Sequence, residues 1–193
     1  MCNIADLTTI PCTANAPGVK GKGYMAPAEE FASWPAYLST TGAGDTVKLT
    51  GNFAFVTDSD IGYFREFPCL LEKGSYTCSV VGGLGSKSFE EKYVYYIPGV
   101  DAAQLEHIRN LANIPGVWLC PDKNGVVHVL GSLTDPAYVE AAEASTGTTA
   151  TDERGILVTI RAISASPSAD TTAAAASSAA RLAIAARRLV PWT

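Results

Sequence analysis

A glycine-rich stretch is the first candidate for chemistry in this sequence. Residues 82–88 read GGLGSKS and follow an apolar segment, as the phosphate-binding loop of a nucleotide-binding protein does. That loop needs a Lys and a Ser or Thr directly after its last glycine, and a helix whose N-terminus receives the phosphate. Here Ser86 separates Gly85 from Lys87, and the residues that follow alternate in polarity as a strand does. We therefore predict a flexible hairpin loop rather than a nucleotide site.

Histidine is suited to act as a general base near neutral pH, and the sequence contains two, His107 and His128. Neither lies in the HExxH pattern of zinc proteases, and no GxSxG stretch marks a serine nucleophile. The pattern predicts His107 on the exposed side of a helix and His128 inside a strand. Neighbouring carboxylates such as Glu90 and Glu91 point to opposite faces of a strand, so they make a poor acid–base pair. We expect no catalytic residue, and a small hydrolase with His107 or His128 as its base is an alternative.

Cysteine spacing and net charge argue against several further classes of protein. The cysteines are odd in number and none forms a CxxC pair, which predicts neither a disulfide framework nor a zinc site. They are Cys2, Cys12, Cys69, Cys78 and Cys120. We expect reduced thiols, as in a cytoplasm, and neither a metal nor a cofactor. The net charge of −5 is unfavourable for a general nucleic-acid binder, and no apolar run approaches the ~20 residues of a membrane span, so no membrane partner is expected.

The glycine-rich loop leads into a long predicted strand. Over residues 86–97 the polarity alternates, which places Phe89, Glu91, Tyr93 and Tyr95 on one face. Alternation of this kind is typical of a strand with one face in a core and the other at a surface. We therefore expect a tyrosine-rich core on one side and a sheet or subunit surface on the other.

A short helix is predicted directly afterwards, at about residues 101–113. Asp101 stands three residues before a Gln, which is an Asp variant of the capping box. Leu105, Ile108 and Leu111 recur at helical spacing and form its predicted apolar face.

Short predicted strands separated by glycine and proline fill most of the remaining sequence. They include a hairpin over residues 116–130 and two late strands over 137–144 and 156–163. With a single good internal helix, this pattern predicts a mainly β (α+β) fold, either a β-sandwich or a split barrel with that helix on its flank. We expect one domain over residues 23–167, preceded by an arm over residues 1–22.

The C-terminal segment has a different composition. Residues 171–190 are rich in Ala, with Asp170 before them and three Arg near their end, which predicts a helix aligned with its dipole. We expect residues 168–193 to form a helical arm that docks on another subunit, because an isolated Ala-rich helix is only marginally stable in water. Docking on its own domain is the alternative. The predicted contact residues of this arm are Leu182, Ile184, Leu189 and Trp192.

Three short motifs follow one another in the second half of the chain. A hairpin turn contains Asp122, Asn124 and Gly125, the sequence STG occupies residues 145–147, and TDERG at residues 151–155 leads into the last clear strand. In this order the motifs resemble those of structural proteins of tailed bacteriophages, most closely tail-tube-like proteins in phages of Bacteroidetes hosts.

The resemblance implies a virion protein without enzymatic activity, assembled in the host cytoplasm. Its copies would form a ring, expected to be a hexamer, by extending their sheets across subunits, and the rings would stack into a tube through which DNA passes. Its partners would be itself and other tail or neck proteins. The predicted contacts with the next ring are Gly82, Gly83, Leu84 and Gly85.

Other functions fit the same residues. Within the virion, a tail terminator or a head–tail connector subunit is an alternative to a tube subunit. Outside viruses, the chain could be a β-sandwich binding module, with Tyr93, Tyr95 and Tyr96 on its recognition face.

Overall fold

Antiparallel strands make up most of the protein. The computed structural model describes residues 16–37, 48–56, 63–149, 151–167 and 169–172, the last four as backbone only. Within these ranges the chain forms thirteen strands, one α-helix and one short 3-10 turn. The predicted mainly β, sandwich-like fold is confirmed.

The elements follow one another in a simple order. The strands are β1 (Lys22–Pro27), β2 (Phe31–Ser33), β3 (Ala36–Tyr37), β4 (Leu49–Thr50), β5 (Ala54–Phe55), β6 (Arg65–Pro68), β7 (Ser75–Val81), β8 (Ser88–Pro98), β9 (Gly116–Pro121), β10 (Val126–Leu130), β11 (Tyr138–Ser145), β12 (Gly155–Ser164) and β13 (Ala169–Thr172). The helix α1 (Ala102–Leu111) lies between β8 and β9, and the 3-10 turn (Ala28–Glu30) lies between β1 and β2.

Two large sheets face each other across the main core. One has four strands in the order β11-β12-β8-β7, and the other has five in the order β13-β10-β9-β1-β6. Two small sheets, β2-β5 and β3-β4, complete the described strands. Large side chains of both main sheets fill the core between them, including Met25, Phe67, Tyr93, Tyr95, Trp118, Leu130, Ile156 and Ile160.

Strand β8 is the long predicted strand, and its predicted inner face is confirmed. Glu91, Tyr93, Tyr95 and Ile97 are buried, whereas the residues between them are only half-buried. Phe89, near the beginning of the strand, is half-buried as well. The alternation of polarity in the sequence therefore identifies the face of the strand that packs against the core.

Strand β9 is buried along its whole length because both faces of the five-stranded sheet are covered. Trp118 and Cys120 point into the main core. Val117 and Leu119 point to the opposite face, into a second core. Five aromatic rings pack in or against this second core, with centroid distances between 4.7 and 5.9 Å, and they belong to Phe31, Trp34, Phe53, Phe55 and Phe64.

Helix α1 begins as predicted but buries a different face. The reciprocal capping box between Asp101 and Gln104 is present. Leu111 is buried and Ile108 packs against the main core, as predicted, but Leu105 is exposed. His107, predicted to be exposed, is half-buried. The sheet covers Leu111 and the residues three and four positions before it, Ile108 and His107. Leu105 lies outside this stripe.

Both ends of the described chain pack on the five-stranded sheet. In the predicted N-terminal arm, Val19 is buried and pairs with Asp122 beside the β9–β10 turn. At the other end, the prediction of a helical arm over residues 168–193 is wrong for the last residues described, because Ala169–Thr172 pairs with β10 as a strand. As a strand, residues 169–172 find hydrogen-bond partners for their backbone groups on the open edge of β10. In the first turn of an isolated helix, the backbone N–H groups would have no such partners. The remainder of the predicted C-terminal helix lies outside the described residues.

Candidate functional site

The glycine-rich loop connects β7 to β8, so the predicted hairpin is confirmed. Gly82 has a φ of +96°, and a Cβ there would lie 2.3 Å from the carbonyl oxygen of Ser86. The turn is held by a hydrogen bond from the Ser86 amide to the Gly83 carbonyl, at 3.1 Å, and by one from Lys87 Nζ to the Gly82 carbonyl, at 2.6 Å. No helix N-terminus follows the loop, because β8 begins at Ser88. A phosphate would therefore lack the helix dipole that binds it in nucleotide-binding loops.

The tip of this hairpin presents a leucine to solvent. Leu84 is fully exposed, and Val80 on the adjoining strand is more than half exposed. Of the four predicted contact residues in the loop, Gly82 and Gly85 adopt positive φ and so allow the tight turn that carries Leu84.

The four-stranded sheet ends in two accessible edges, β7 and β11. All its strand pairs are antiparallel. Most residues of β7 and β11 are exposed. An irregularity interrupts the register of β11 between Val139 and Ala141, and beyond it all side chains of the strand except that of Glu143 are small. In the described chain, each edge therefore has a row of backbone groups with no neighbouring strand.

A network of charges lies on the outer face of the same sheet. Lys92 Nζ is 2.8 Å from a carboxylate oxygen of Glu140, and Arg161 Nε is 2.7 Å from one of Glu90. The hydrogen bond with Glu140 raises the pKa of Lys92 above its ordinary value. These four residues come from β8, β11 and β12, so the network fixes the edge strand β11 to the centre of its sheet.

The two histidines lie in different surroundings. The ring of His128 stacks on that of Tyr76, with centroids 4.3 Å apart and planes at 7°, and its Nε2 is 3.9 Å from Asp122. This stack joins β10 of one large sheet to β7 of the other. His107 lies on α1 with its Nε2 buried and without a hydrogen-bond partner among the described residues. Burial lowers the pKa of His107, so its imidazole is neutral at neutral pH.

His107 lines a small cavity between α1 and the ends of β6 and β8, which we call the α1 cavity. Its volume is about 220 Å³. The lining residues are Glu66, Phe67, Pro68, Ile97, Pro98, Ala103, Gln104 and His107. The lining is mostly apolar, and Glu66 is the one acidic side chain in it. An occupant with an apolar body and one hydrogen-bonding group would match these walls.

A larger cleft of about 480 Å³, with both polar and apolar residues in its lining, lies near the end of β10. Glu91, which is 1% exposed, lines it and is 3.9 Å from the thiol of Cys78. Trp34 also lines it, and its indole Nε1 is buried without a hydrogen-bond partner among the described residues. Several hydroxyl groups beside them already bond to one another, such as Ser132 with Thr134 at 3.0 Å.

The buried thiols are poorly suited to nucleophilic chemistry. Cys69 lies 3.2 Å from the hydroxyl of Tyr93, and Cys120 is buried in the same core. Desolvation is the main cause that raises the pKa of both thiols and of the Tyr93 hydroxyl. All three groups are therefore protonated at neutral pH, and a protonated thiol is a weak nucleophile.

The structure brings some of the predicted site residues together and leaves others apart. Gly82 to Gly85 form one turn, whereas Leu182, Ile184, Leu189 and Trp192 lie outside the described residues. Sequence reasoning missed the α1 cavity. The only signal for it was the helical spacing of His107 from Leu111, which places His107 on the buried stripe rather than on the exposed side.

Three further observations concern possible partners. In the parts of the chain that the structure describes, no group of three or more His, Cys, Asp or Glu side chains is placed to hold a metal ion. No helix in those parts has the length and apolar character needed to cross a membrane. No family model matches the chain, and no curated protein or solved structure was found to be similar to it.

Proposed function

We propose that this protein is a structural subunit of a bacteriophage tail tube, without catalytic activity, whose copies assemble into rings that stack around a DNA conduit. The observation that carries the proposal is the four-stranded sheet with its two open edges, β7 and β11. The order of motifs in the sequence resembles that of tail-tube-like proteins, and this resemblance is the reason for proposing a phage tail rather than another assembly.

Strand directions make this sheet suited to continuation from copy to copy. Its four strands alternate in direction, so β7 and β11 run in opposite directions. If a second copy in the same orientation is placed beside the first, its β11 runs antiparallel to β7. Such a junction continues the ladder without a change of pattern. Because the contact joins two different edges, it is heterologous, and a small rotation at each junction closes it into a ring.

The side chains at the edges favour such a junction. The exposed part of β11 beyond its irregularity is composed largely of Ala, Glu and Ser, so a neighbouring backbone can approach it closely. An exposed edge of this length is otherwise an aggregation hazard, and pairing with another copy removes that hazard. The net charge of −5 suits a conduit, since negative walls do not adhere to phosphate groups. We expect a hexameric ring, located in the virion, whose further partners are other tail or neck proteins.

Assembly of the purified protein tests this proposal. Mass photometry and negative-stain electron microscopy should show rings and stacked tubes rather than a 20.2 kDa monomer. In the double variant Ser79→Lys/Ala141→Lys, charges added to both edges should oppose the pairing of β7 with β11 and leave folded monomers; Ser79 is used because its partner within the sheet is Glu90. The matched control is Leu157→Lys/Ile163→Lys, which adds the same two charges at exposed positions of the interior strand β12 and should still form rings.

Three results would count against parts of the proposal. A wild-type chain that stays monomeric up to high micromolar concentration would overturn it. Rings formed equally well by the double variant would show that the junction lies elsewhere. Single rings that never stack would instead favour a terminator or connector subunit.

A further inference from the structure

We propose that Asn124, in the turn between β9 and β10, is a site of spontaneous deamidation, a reaction that removes its side-chain nitrogen and releases Ala16 from the turn. Water is the co-reactant, and ammonia is the product that leaves. The inference concerns a contact within one chain, so it goes beyond the proposed function and does not depend on it.

The residue that follows Asn124 makes it different from the other asparagines of the chain. Gly125 comes directly after it, whereas each of the other five asparagines precedes a residue with a side chain. Because glycine has no Cβ, its backbone nitrogen can come close to the side-chain amide carbon of the preceding residue. Asn124 is also exposed, so water reaches it. It is therefore the asparagine best suited to react with the backbone that follows it.

The reaction proceeds through a cyclic imide and needs neither an oxidant nor a reductant. The Gly125 nitrogen first forms a bond to Cγ of Asn124. The bond from Cγ to the side-chain nitrogen breaks, and ammonia leaves with the proton of the Gly125 amide. Water then adds to one of the imide carbonyl carbons and breaks its bond to the Gly125 nitrogen, which regains a proton. Opening at Cγ gives aspartate, and opening at the main-chain carbonyl gives isoaspartate, in which the chain continues through the side chain.

The side chain of Asn124 holds Ala16 through a pair of hydrogen bonds, which we call the Asn124 clamp. Oδ1 accepts a bond from the Ala16 amide at 2.9 Å, and Nδ2 donates one to the Ala16 carbonyl oxygen at 3.3 Å. The attacking nitrogen is engaged as well, because the Gly125 amide donates to the Asp122 carbonyl oxygen at 3.3 Å. Both reacting groups must leave these partners before the ring closes. The clamp therefore slows the reaction, which proceeds from states in which the turn opens locally.

Either product is unable to restore the clamp. In aspartate, an oxygen replaces Nδ2, so two oxygens face each other where Nδ2 donated to the Ala16 carbonyl. In isoaspartate, the backbone gains a carbon inside a tight turn. That turn is closed by the Asp122 amide, which donates to the Val126 carbonyl, and by the Val126 amide, which donates to the Asp122 carboxylate, both at 2.8 Å. Release of Ala16 is therefore one-way.

The release is confined to one end of the described N-terminal segment. Closer to β1, the Lys20 amide donates to the Pro121 carbonyl at 2.8 Å, and the buried Val19 pairs with Asp122. These contacts use main-chain groups and a buried side chain, and neither involves the amide of Asn124. Deamidation should therefore free Ala16 and leave Lys20 in place.

Ageing of the purified full-length protein in mildly alkaline buffer tests the site. Peptide mapping by mass spectrometry should find aspartate and isoaspartate at position 124 and unchanged asparagine at positions 52, 110 and 113. The same reaction in urea-unfolded protein should be about tenfold faster or more, because the clamp is then absent.

Amide hydrogen exchange, followed by NMR, tests the release. In the aged protein the Ala16 amide should exchange about tenfold faster or more than in fresh protein, whereas the Lys20 amide should be unchanged. Freshly purified Asn124→Asp, which carries one of the two products, should show the same fast exchange at Ala16.

The matched control is Gly125→Ala. A Cβ at this position meets nothing within 4 Å, although the φ of +93° makes the substitution strained. The added methyl group hinders the attack on Asn124, so this variant should keep its asparagine through the same ageing. Its Ala16 amide should exchange equally fast before and after ageing.

Each outcome supports or overturns a stated part of the inference. An unmodified Asn124 in aged wild type, or equal modification at position 110, would overturn the site. Equal reaction rates in folded and unfolded protein would overturn the protection by the clamp. Slow exchange of the Ala16 amide in Asn124→Asp, or faster exchange in aged Gly125→Ala that has kept its asparagine, would overturn the link between deamidation and release. None of these measurements depends on whether rings form.

Discussion

The carboxylate of Glu30 accepts two hydrogen bonds from the guanidinium of Arg65, at 2.7 and 3.0 Å. The carboxylate is almost completely buried, whereas the Arg65 side chain is partly exposed. The hydrogen bond with Glu30 raises the pKa of Arg65 above its ordinary value. Two parallel bonds of this kind fix both position and orientation. The pair ties the 3-10 turn after β1 to the beginning of β6.

Loss of this pair should destabilise the fold. In Arg65→Met, the buried Glu30 carboxylate no longer has the guanidinium beside it, and we expect the free energy of unfolding to fall by about 1–3 kcal/mol. The control is Lys22→Met, which removes a bridge of 2.7 Å to Glu66 whose partners are both largely exposed. A much smaller loss is expected there, because an ion pair between exposed side chains contributes little to stability. Urea unfolding measures both variants, and equal losses would contradict the argument.

Protonation of His107 should make stability depend on pH. Burial lowers its folded-state pKa below the ordinary value of 6.5, so the unfolded chain binds more protons between the two pKa values. Stability therefore rises with pH through that window and is lost as pH falls below about 6.5. We expect wild type to lose more stability than His107→Gln between pH 7.5 and pH 5. Parallel curves of unfolding free energy for the two proteins would refute this assignment.

Close packing at Gly155 should make that position intolerant of a side chain. A Cβ there would lie 2.4 Å from the Tyr96 ring and 2.5 Å from the Ile97 carbonyl oxygen. We expect Gly155→Ala to cost about 1–3 kcal/mol of stability. At Gly83 a Cβ would meet nothing within 4 Å, so Gly83→Ala should be neutral or stabilise by up to about 1 kcal/mol. Thermal unfolding compares the two, and similar melting temperatures would argue against the described packing.

The thiols should react in a fixed order. Cys78 is exposed, whereas Cys69 and Cys120 are buried, and burial raises the pKa of both buried thiols. Among these three thiols, a maleimide added to the native protein should therefore label Cys78 first, and label Cys69 and Cys120 only after unfolding. Peptide mapping by mass spectrometry identifies each labelled residue. Early labelling of Cys120 in the native protein would contradict its position in the main core.

Truncation at two points should separate the role of β13 from that of the residues after it. A chain that ends at Pro167 lacks β13 and leaves the edge of β10 uncovered, so we expect it to be less stable than a chain that ends at Thr172. Loss of assembly in the chain ending at Thr172, with its fold intact, would support the predicted docking of Leu182, Ile184, Leu189 and Trp192 on another subunit. Equal stability of the two truncated chains would show that β13 contributes little.

Local patterns were sufficient to predict the central elements of the fold. The alternation around Tyr93 and Tyr95 gave both the strand and its buried face, because a residue's side of a strand follows directly from its position in the sequence. The Asp101 capping box marked the beginning of α1 for a similar reason, since its partner lies only three residues away.

Features that depend on distant partners were harder to predict. Residues 169–172 form a strand only because β10 offers an open edge, and nothing within SADTT itself indicates that edge. The helical pattern predicted a buried face through Leu105, whereas the sheet covers the neighbouring face, which contains His107. The α1 cavity combines residues from β6, β8 and α1, which are far apart in the sequence.

The opposite directions of β7 and β11, the two edges of the four-stranded sheet, have a consequence for growth. If copies join through these edges, an unfinished ring keeps one free edge of each kind and can still accept another copy at either end. A closed ring has no free edge left on these sheets. Closure would therefore limit the number of copies without a separate protein that counts them.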